Sequence, residues 1–204
     1  MPEPDAAASG PWPASARFGP VGMSIGGVLA EDLAVRYGTP LLVADEEHIR
    51  NRCRAFARLF PHPLYAVKAF TSRAMIQLVA EEGLNLLVAS GGELHACLSA
   101  GIPGARIAFH GNNKSDDELH LAVSNGVWLV NVDNPAELDR LDPIARADGV
   151  VQRVLLRVIP GVGAGAHQAI RTGEAGTKFG MLLPAVGGAI RRAMELPNVH
   201  PVGL

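Results

Sequence analysis

Lysine is scarce in this chain of 204 residues: of 18 basic residues, only Lys68, Lys114 and Lys178 are lysines. Surface charge is carried by arginine, so each lysine invites a reason specific to a primary amine, which can lose its proton and act as a nucleophile. Cysteine is scarcer still. Cys53 and Cys97 have no metal-like spacing, so neither a disulfide framework nor a metal centre is expected, and two small buried or half-buried thiols are. No apolar run approaches the roughly 18 residues that span a bilayer. The formal net charge of −2 creates no field that would gather nucleic acid or an anionic membrane. Residues 1–20 lack the basic start and apolar stretch of a secretory signal and are expected to form a flexible leader. The cytoplasm is the expected compartment. No G-x-G-x-x-G follows the first strand candidate, which argues against a dinucleotide-binding fold.

What is present is a regular alternation of short apolar runs and amphipathic segments. Strands are expected at 40–45, 64–69, 84–89, 106–110, 127–132, 153–159 and from 199 onward. Helices are expected at 46–59, 73–82, 92–100, 116–124, 135–147 (opened by Asn134 as N-cap) and 185–196. Strands that are nearly all apolar and alternate with helices imply a parallel sheet covered by helices. A repeat of roughly 25 residues suits a β/α barrel, whose chemistry sits at the C-terminal ends of its strands. A closed barrel needs eight strands. The chain supplies fewer and stops at Leu204 inside an apolar run, so it is expected to be a fragment or part of a longer protein.

Candidate site residues fall where such a barrel places its loops. Lys68, in Tyr65-Ala66-Val67-Lys68-Ala69, ends an apolar strand and by alternation shares a face with Ala66. An amine aimed into a barrel mouth is costly as an unpartnered charge and suits attack on an aldehyde. A strand-end lysine reaching to solvent is the plain alternative. Ser90-Gly91-Gly92-Glu93 exposes amides at a helix start, as any tight βα turn would. His110-Gly111-Asn112-Asn113-Lys114-Ser115 packs an imidazole, two amides and an amine into six residues. Arg157 lies within an apolar strand, where a charge needs an anionic or acceptor partner. The long connection 161–180 carries His167, Arg171-Thr172-Gly173 and Lys178-Phe179-Gly180, and connections of that length are usually functional or disordered.

In this order, Y-A-V-K-A, S-G-G-E-L, H-G-N-N-K-S, L-R-x-x-P-G-V and H-x-x-I-x-T-G-x-x-x-x-K-F-G, from about Tyr37 to Leu204, resemble the diaminopimelate decarboxylases. These are pyridoxal-phosphate enzymes with an alanine-racemase-like barrel. Y-A-V-K is shared with ornithine and arginine decarboxylases, whereas H-G-N-N-K-S and T-G-x-x-x-x-K-F-G are more particular.

The resemblance implies an α/β fold: an incomplete (β/α)8 barrel of about five strands plus the start of the sixth, over 46–204. Segment 21–45 would carry a leading strand, Pro40–Asp45, belonging to a second β domain. It implies pyridoxal 5'-phosphate held as an imine on Lys68, with Arg157 and His110 as further cofactor-binding residues. It also implies an amino-acid substrate, meso-2,6-diaminopimelate, yielding L-lysine and carbon dioxide, and a homodimer at full length. The ring-stacking histidine and the phosphate-binding glycines would lie beyond Leu204, so the chain alone is expected to be inactive. Lys178 is expected to serve the long loop or a dimer contact. One departure stands out: Leu87 occupies the position of an aspartate in the family, which is expected to leave Lys68 and Arg157 without a nearby anion. Rival readings are a related basic-amino-acid or polyamine-precursor decarboxylase, a non-enzymatic pyridoxal-phosphate carrier, and an inactive remnant.

Overall fold

The computed structural model describes residues 12–161 and 179–204. The chain divides into two compact units, Met1–Pro63 and Leu64–Leu204.

The first unit holds an antiparallel three-stranded meander, β1 (Arg17–Gly19), β2 (Gly22–Ile25) and β3 (Val28–Leu29), then helices α1 (Ala30–Tyr37) and α2 (Glu46–Leu59). The turn between β2 and β3 places Gly26 and Gly27 at φ 59° and 80°, which glycine adopts without a Cβ penalty. Asp45 caps α2 by accepting the His48 N–H at 3.0 Å. One expectation changes here. Residues 17–19 of the expected leader form β1, while residues 1–11 lie outside the described residues. Pro40–Asp45, expected to pair with a second β domain, has no strand ladder among the described residues.

The second unit follows the alternation read from the sequence. Its elements are β4 (Leu64–Ala66), α3 (Arg73–Glu81), β5 (Asn85–Val88), α4 (Gly91–Ser99), β6 (Ile107–Phe109), α5 (Asp116–Ser124), β7 (Leu129–Val132), α6 (Pro135–Ala147) and β8 (Gln152–Leu156). Then come β9 (Val158–Ile159), β10 (Met181–Leu182), α7 (Leu183–Glu195) and β11 (Val199–Gly203). Strands β4, β5, β6, β7, β8 and β11 form one parallel sheet in chain order. Consecutive parallel strands joined by right-handed crossovers place every helix on one face.

The pleat sorts the side chains accordingly. Leu86, Val88, Ile107, Phe109, Val130, Val132, Val154 and Leu156 point to the helix side and are buried. Ala66, Leu87, Asn131 and Leu155 point to the other side and are half-buried. The helices answer with Leu119, Ala122 and Val123 on α5 and Leu138, Leu141 and Ala145 on α6, the i, i+3, i+4 and i+7 spacing of one helical stripe. Each buried leucine contributes about 1.5–3 kcal/mol. Six strands in sequential parallel order with helices on one side are the α/β barrel arrangement over its first six strands.

Four successive βα turns end in the same device. Ser72, Ser90, Ser115 and Asn134 each accept the N–H three residues on, at 3.1–3.2 Å. Each cap is worth about 1 kcal/mol, and together they fix where every helix starts relative to the strand before it. Cys53 and Cys97 are buried, as expected, and neither is disulfide-bonded. No helix among the described residues is long and apolar enough to cross a membrane.

Candidate active site

The C-terminal ends of the parallel strands gather the expected residues. Strand β4 is shorter than its sequence suggests: the chain turns into a 3-10 helix over Val67–Ala69, closed by the Phe70 N–H on the Val67 carbonyl at 3.1 Å. Val67 is fully buried, and Lys68 is exposed. Among the described residues its amine has no hydrogen bond or ion pair. The 3-10 turn ends the pleat before Lys68, and the lysine is accessible.

His110 follows β6 and is tied to the sheet by its N–H on the Val88 carbonyl at 2.7 Å. Asn131 Nδ2 lies 2.8 Å from His110 Nδ1, so the amide donates to that nitrogen and the ring hydrogen sits on Nε2. Burial pushes the His110 imidazole down to about 4, helped by Arg157, Lys114 and Lys68 and opposed by Asp133. His110 is thus a neutral, oriented ring in a group of cations, with Lys68 close enough to act on it.

Arg157 occupies the break between β8 and β9. Its N–H meets the Val132 carbonyl at 2.9 Å, and its own carbonyl accepts the Met181 N–H at 2.8 Å, which starts the β9–β10 pair. Its guanidinium donates to Asp133 Oδ1 at 3.0 Å and stacks over the Phe179 ring at 4.5 Å. This corrects the expectation drawn from Leu87. Arg157 does have an anion, supplied from the end of β7 instead of β5, and Leu87 lies on the less buried sheet face between Ala66 and Ala108. Asp133 was missed in the sequence, although an aspartate directly after an apolar strand was the available signal.

The loop from His110 to Ser115 is held from below. Gly111 has φ 104°, and a Cβ there would come within 2.6 Å of the Ala89 carbonyl oxygen. Lys114 is buried rather than presented to the mouth: its ammonium meets Gly111 O at 2.6 Å, Asn131 O at 2.8 Å and Glu137 Oε1 at 2.8 Å. The Ser115 and Glu118 side chains form a capping box, and Glu118 also accepts the Gly91 N–H at 2.6 Å, joining this loop to the start of α4. His167, Arg171, Thr172, Gly173 and Lys178 lie outside the described residues.

An aldehyde cofactor needs a primary amine that its surroundings have not already consumed. Lys68 meets that condition and Lys114 does not. Lys68, His110 and Arg157, the three residues expected to hold the cofactor, follow alternate strands of one sheet, so the residues present fit such a group.

The comparisons agree with this geometry. Residues 46–204 match the family model described as pyridoxal-dependent decarboxylase, pyridoxal binding domain. The chain is 45% identical over 180 residues to the diaminopimelate decarboxylase of Bacillus methanolicus, covering 85% of this chain and 41% of that protein. To the Mycobacterium leprae diaminopimelate decarboxylase it is 43% identical over 203 residues, covering 97% of this chain and 43% of that protein. The crystal structure of diaminopimelate decarboxylase from M. jannaschii in complex with L-lysine superposes with a TM-score of 0.81 at 30% identity. That alignment covers 94% of this chain and 47% of the other. The chain therefore spans less than half the length of these relatives.

Proposed function

This chain belongs to the pyridoxal-dependent decarboxylases through their pyridoxal-binding domain, and from that premise we propose that the whole protein decarboxylates meso-2,6-diaminopimelate to L-lysine and carbon dioxide. The observation that carries the substrate is the identity of 43–45% to diaminopimelate decarboxylases over 85–97% of this chain. Pyridoxal 5'-phosphate is the cofactor, and when bound it supplies a ring that accepts the electron pair left by the departing carboxylate.

The chain's own residues have separable tasks in this reading. Lys68 is the attachment point, since its amine is exposed and unengaged among the described residues. Its amine is later free to move a proton or assist product release. Arg157 offers a cation whose direction is set by Asp133 on one side and Phe179 on the other. Such a held cation orients an anionic or acceptor group without reorganising during the reaction. His110, neutral and held by Asn131, contributes a flat ring that adds no charge to a site already carrying Lys68 and Arg157. The chain's work is thus orientation, which aligns the bond to be broken. A homodimer in the cytoplasm, with residues 46–204 as part of the barrel and 21–45 belonging to a second domain, completes the proposal.

The test is reduction of the cofactor-loaded protein with borohydride, followed by peptide mapping. The pyridoxyl group is expected on Lys68. Its appearance on Lys114 or Lys178 would overturn the assignment. Lysine and carbon dioxide release from diaminopimelate, set against ornithine and arginine as competing substrates, tests the substrate separately.

A further inference from the structure

The buried Lys114–Glu137 pair has no task in the function proposed above, yet every group it touches leads to a residue of the site. We infer that Lys114 is a positioning residue that acts through Gly111, Asn131 and Glu137 to hold His110 and Arg157 in place. The inference rests on the proposed site for its meaning, and on geometry for its content.

Two carbonyls accept ammonium protons, and a buried carboxylate oxygen that has no hydrogen bond of its own lies beside the ammonium as its ion-pair partner. Gly111, whose carbonyl lies at 2.6 Å, directly follows His110 in the chain. Asn131, whose carbonyl lies at 2.8 Å, is the residue whose side chain holds His110 Nδ1. Glu137, at 2.8 Å through Oε1, accepts the Asp133 N–H on its other oxygen at 3.2 Å, and Asp133 in turn holds Arg157. Each route from Lys114 to a site residue passes through one to three named contacts. The Lys114 side chain is 1% exposed and that of Glu137 is 0%. For stability alone a buried ion pair is a poor choice, since well-packed apolar groups of similar volume do as well or better. Lysine rather than arginine suits this place, because a compact ammonium can meet three partners lying in different directions and a planar fork cannot.

The test needs a readout that stability does not move. In the whole protein, ring nitrogen NMR reports both the His110 tautomer and its titration. The groups that bear on that ring are Arg157, Lys114, Asp133 and Lys68. The double variant K114M/E137Q keeps an acceptor for the Asp133 N–H and removes the ammonium. It should stay folded by circular dichroism, lose the single-tautomer pattern of His110, and shift that ring's titration upward from about 4. Lys114→Gln, which lowers the charge and keeps a donor for one of the two carbonyls, should show the same change in part, which keeps the inference testable if the double variant does not fold. An unchanged His110 pattern in either folded variant would overturn it. None of these readings requires bound cofactor. A wild-type protein that fails to bind pyridoxal phosphate or to decarboxylate would remove the function proposed above and leave this inference standing.

Discussion

Lys68 and Lys114 follow alternate strands, β4 and β6, of the same parallel sheet, carry the same amine, and end in opposite conditions. Lys68 sits on a 3-10 turn that buries Val67 and leaves the next side chain exposed, where among the described residues no hydrogen bond or ion pair engages it. Lys114 sits beyond a glycine at φ 104° and is drawn under its own loop, bonded to two carbonyls and paired with the buried Glu137. A nucleophile must be accessible and unspent, whereas a brace must be buried and fully satisfied. Two short backbone turns, rather than the lysines themselves, decide which is which.

The largest expected effect separates them by activity. Lys68→Ala should remove cofactor attachment and lower kcat/KM on the order of 10³-fold or more, as losing a covalent group does. It should change folding stability by no more than about 0.5 kcal/mol, the usual range for an exposed site. Urea unfolding beside a turnover assay checks both, and a marked loss of stability would mean that Lys68 is a structural residue like Lys114.

Lys114→Met should behave in the reverse sense for stability. It leaves Glu137 charged and buried without its partner, which costs about 3–5 kcal/mol. Burial already pushes the Glu137 carboxyl above its ordinary range against the pull of Lys114. Adding Glu137→Gln should recover most of the loss, and a denaturation midpoint that stays low in the double variant would break the contrast drawn here.

Gly111→Ala probes the turn that carries Lys114 downward. An alanine at φ 104° with its Cβ 2.6 Å from the Ala89 carbonyl oxygen is strained by about 1–3 kcal/mol. A thermal melt should show the loss, and an unchanged melting temperature would mean the loop has another low-energy path.

The smallest effect concerns Glu118, which ties this loop to α4. Burial alone would raise its carboxyl, but the Ser115 and Gly91 N–H groups and the Ser115 hydroxyl outweigh that and hold it below the ordinary range. Its contribution is therefore complete above the unfolded value, near 4.3, and fades as pH falls through the lower folded value. Glu118→Gln should cost about 1 kcal/mol at neutral pH, the size of a capping interaction. The difference from wild type should shrink in acid, and one that grows as pH falls would contradict this reading.

Much of the second unit was legible because its signals are local. Apolar runs broken by Ser or Asn caps placed α5 at 116–124 and α6 at 135–147 with their observed bounds. The first unit was harder to read. Its strands are two to four residues long, too short to show a period, and α1 was not anticipated. The apolar run at 40–45 has no strand ladder among the described residues, since composition reports burial tendency and says nothing of a pairing partner. In the site, Lys68, His110 and Arg157 stood out as polar groups in apolar surroundings. Asp133 and Asn131 did not, since a short polar residue after a strand is ordinary in a βα turn.

By itself, the sequence determined the order of strands and helices, hence a parallel sheet with its chemistry at one end, because side-chain period and capping act within a few residues. It also determined the family, through motifs kept in order along the chain. Only the tertiary structure decided that Asp133, and not a residue at position 87, neutralises Arg157. It alone decided that His110 is neutral and that Lys114 is consumed while Lys68 is free among the described residues. Those outcomes depend on which groups from different strands end within hydrogen-bonding distance, a length of about 3 Å set by register and turn geometry.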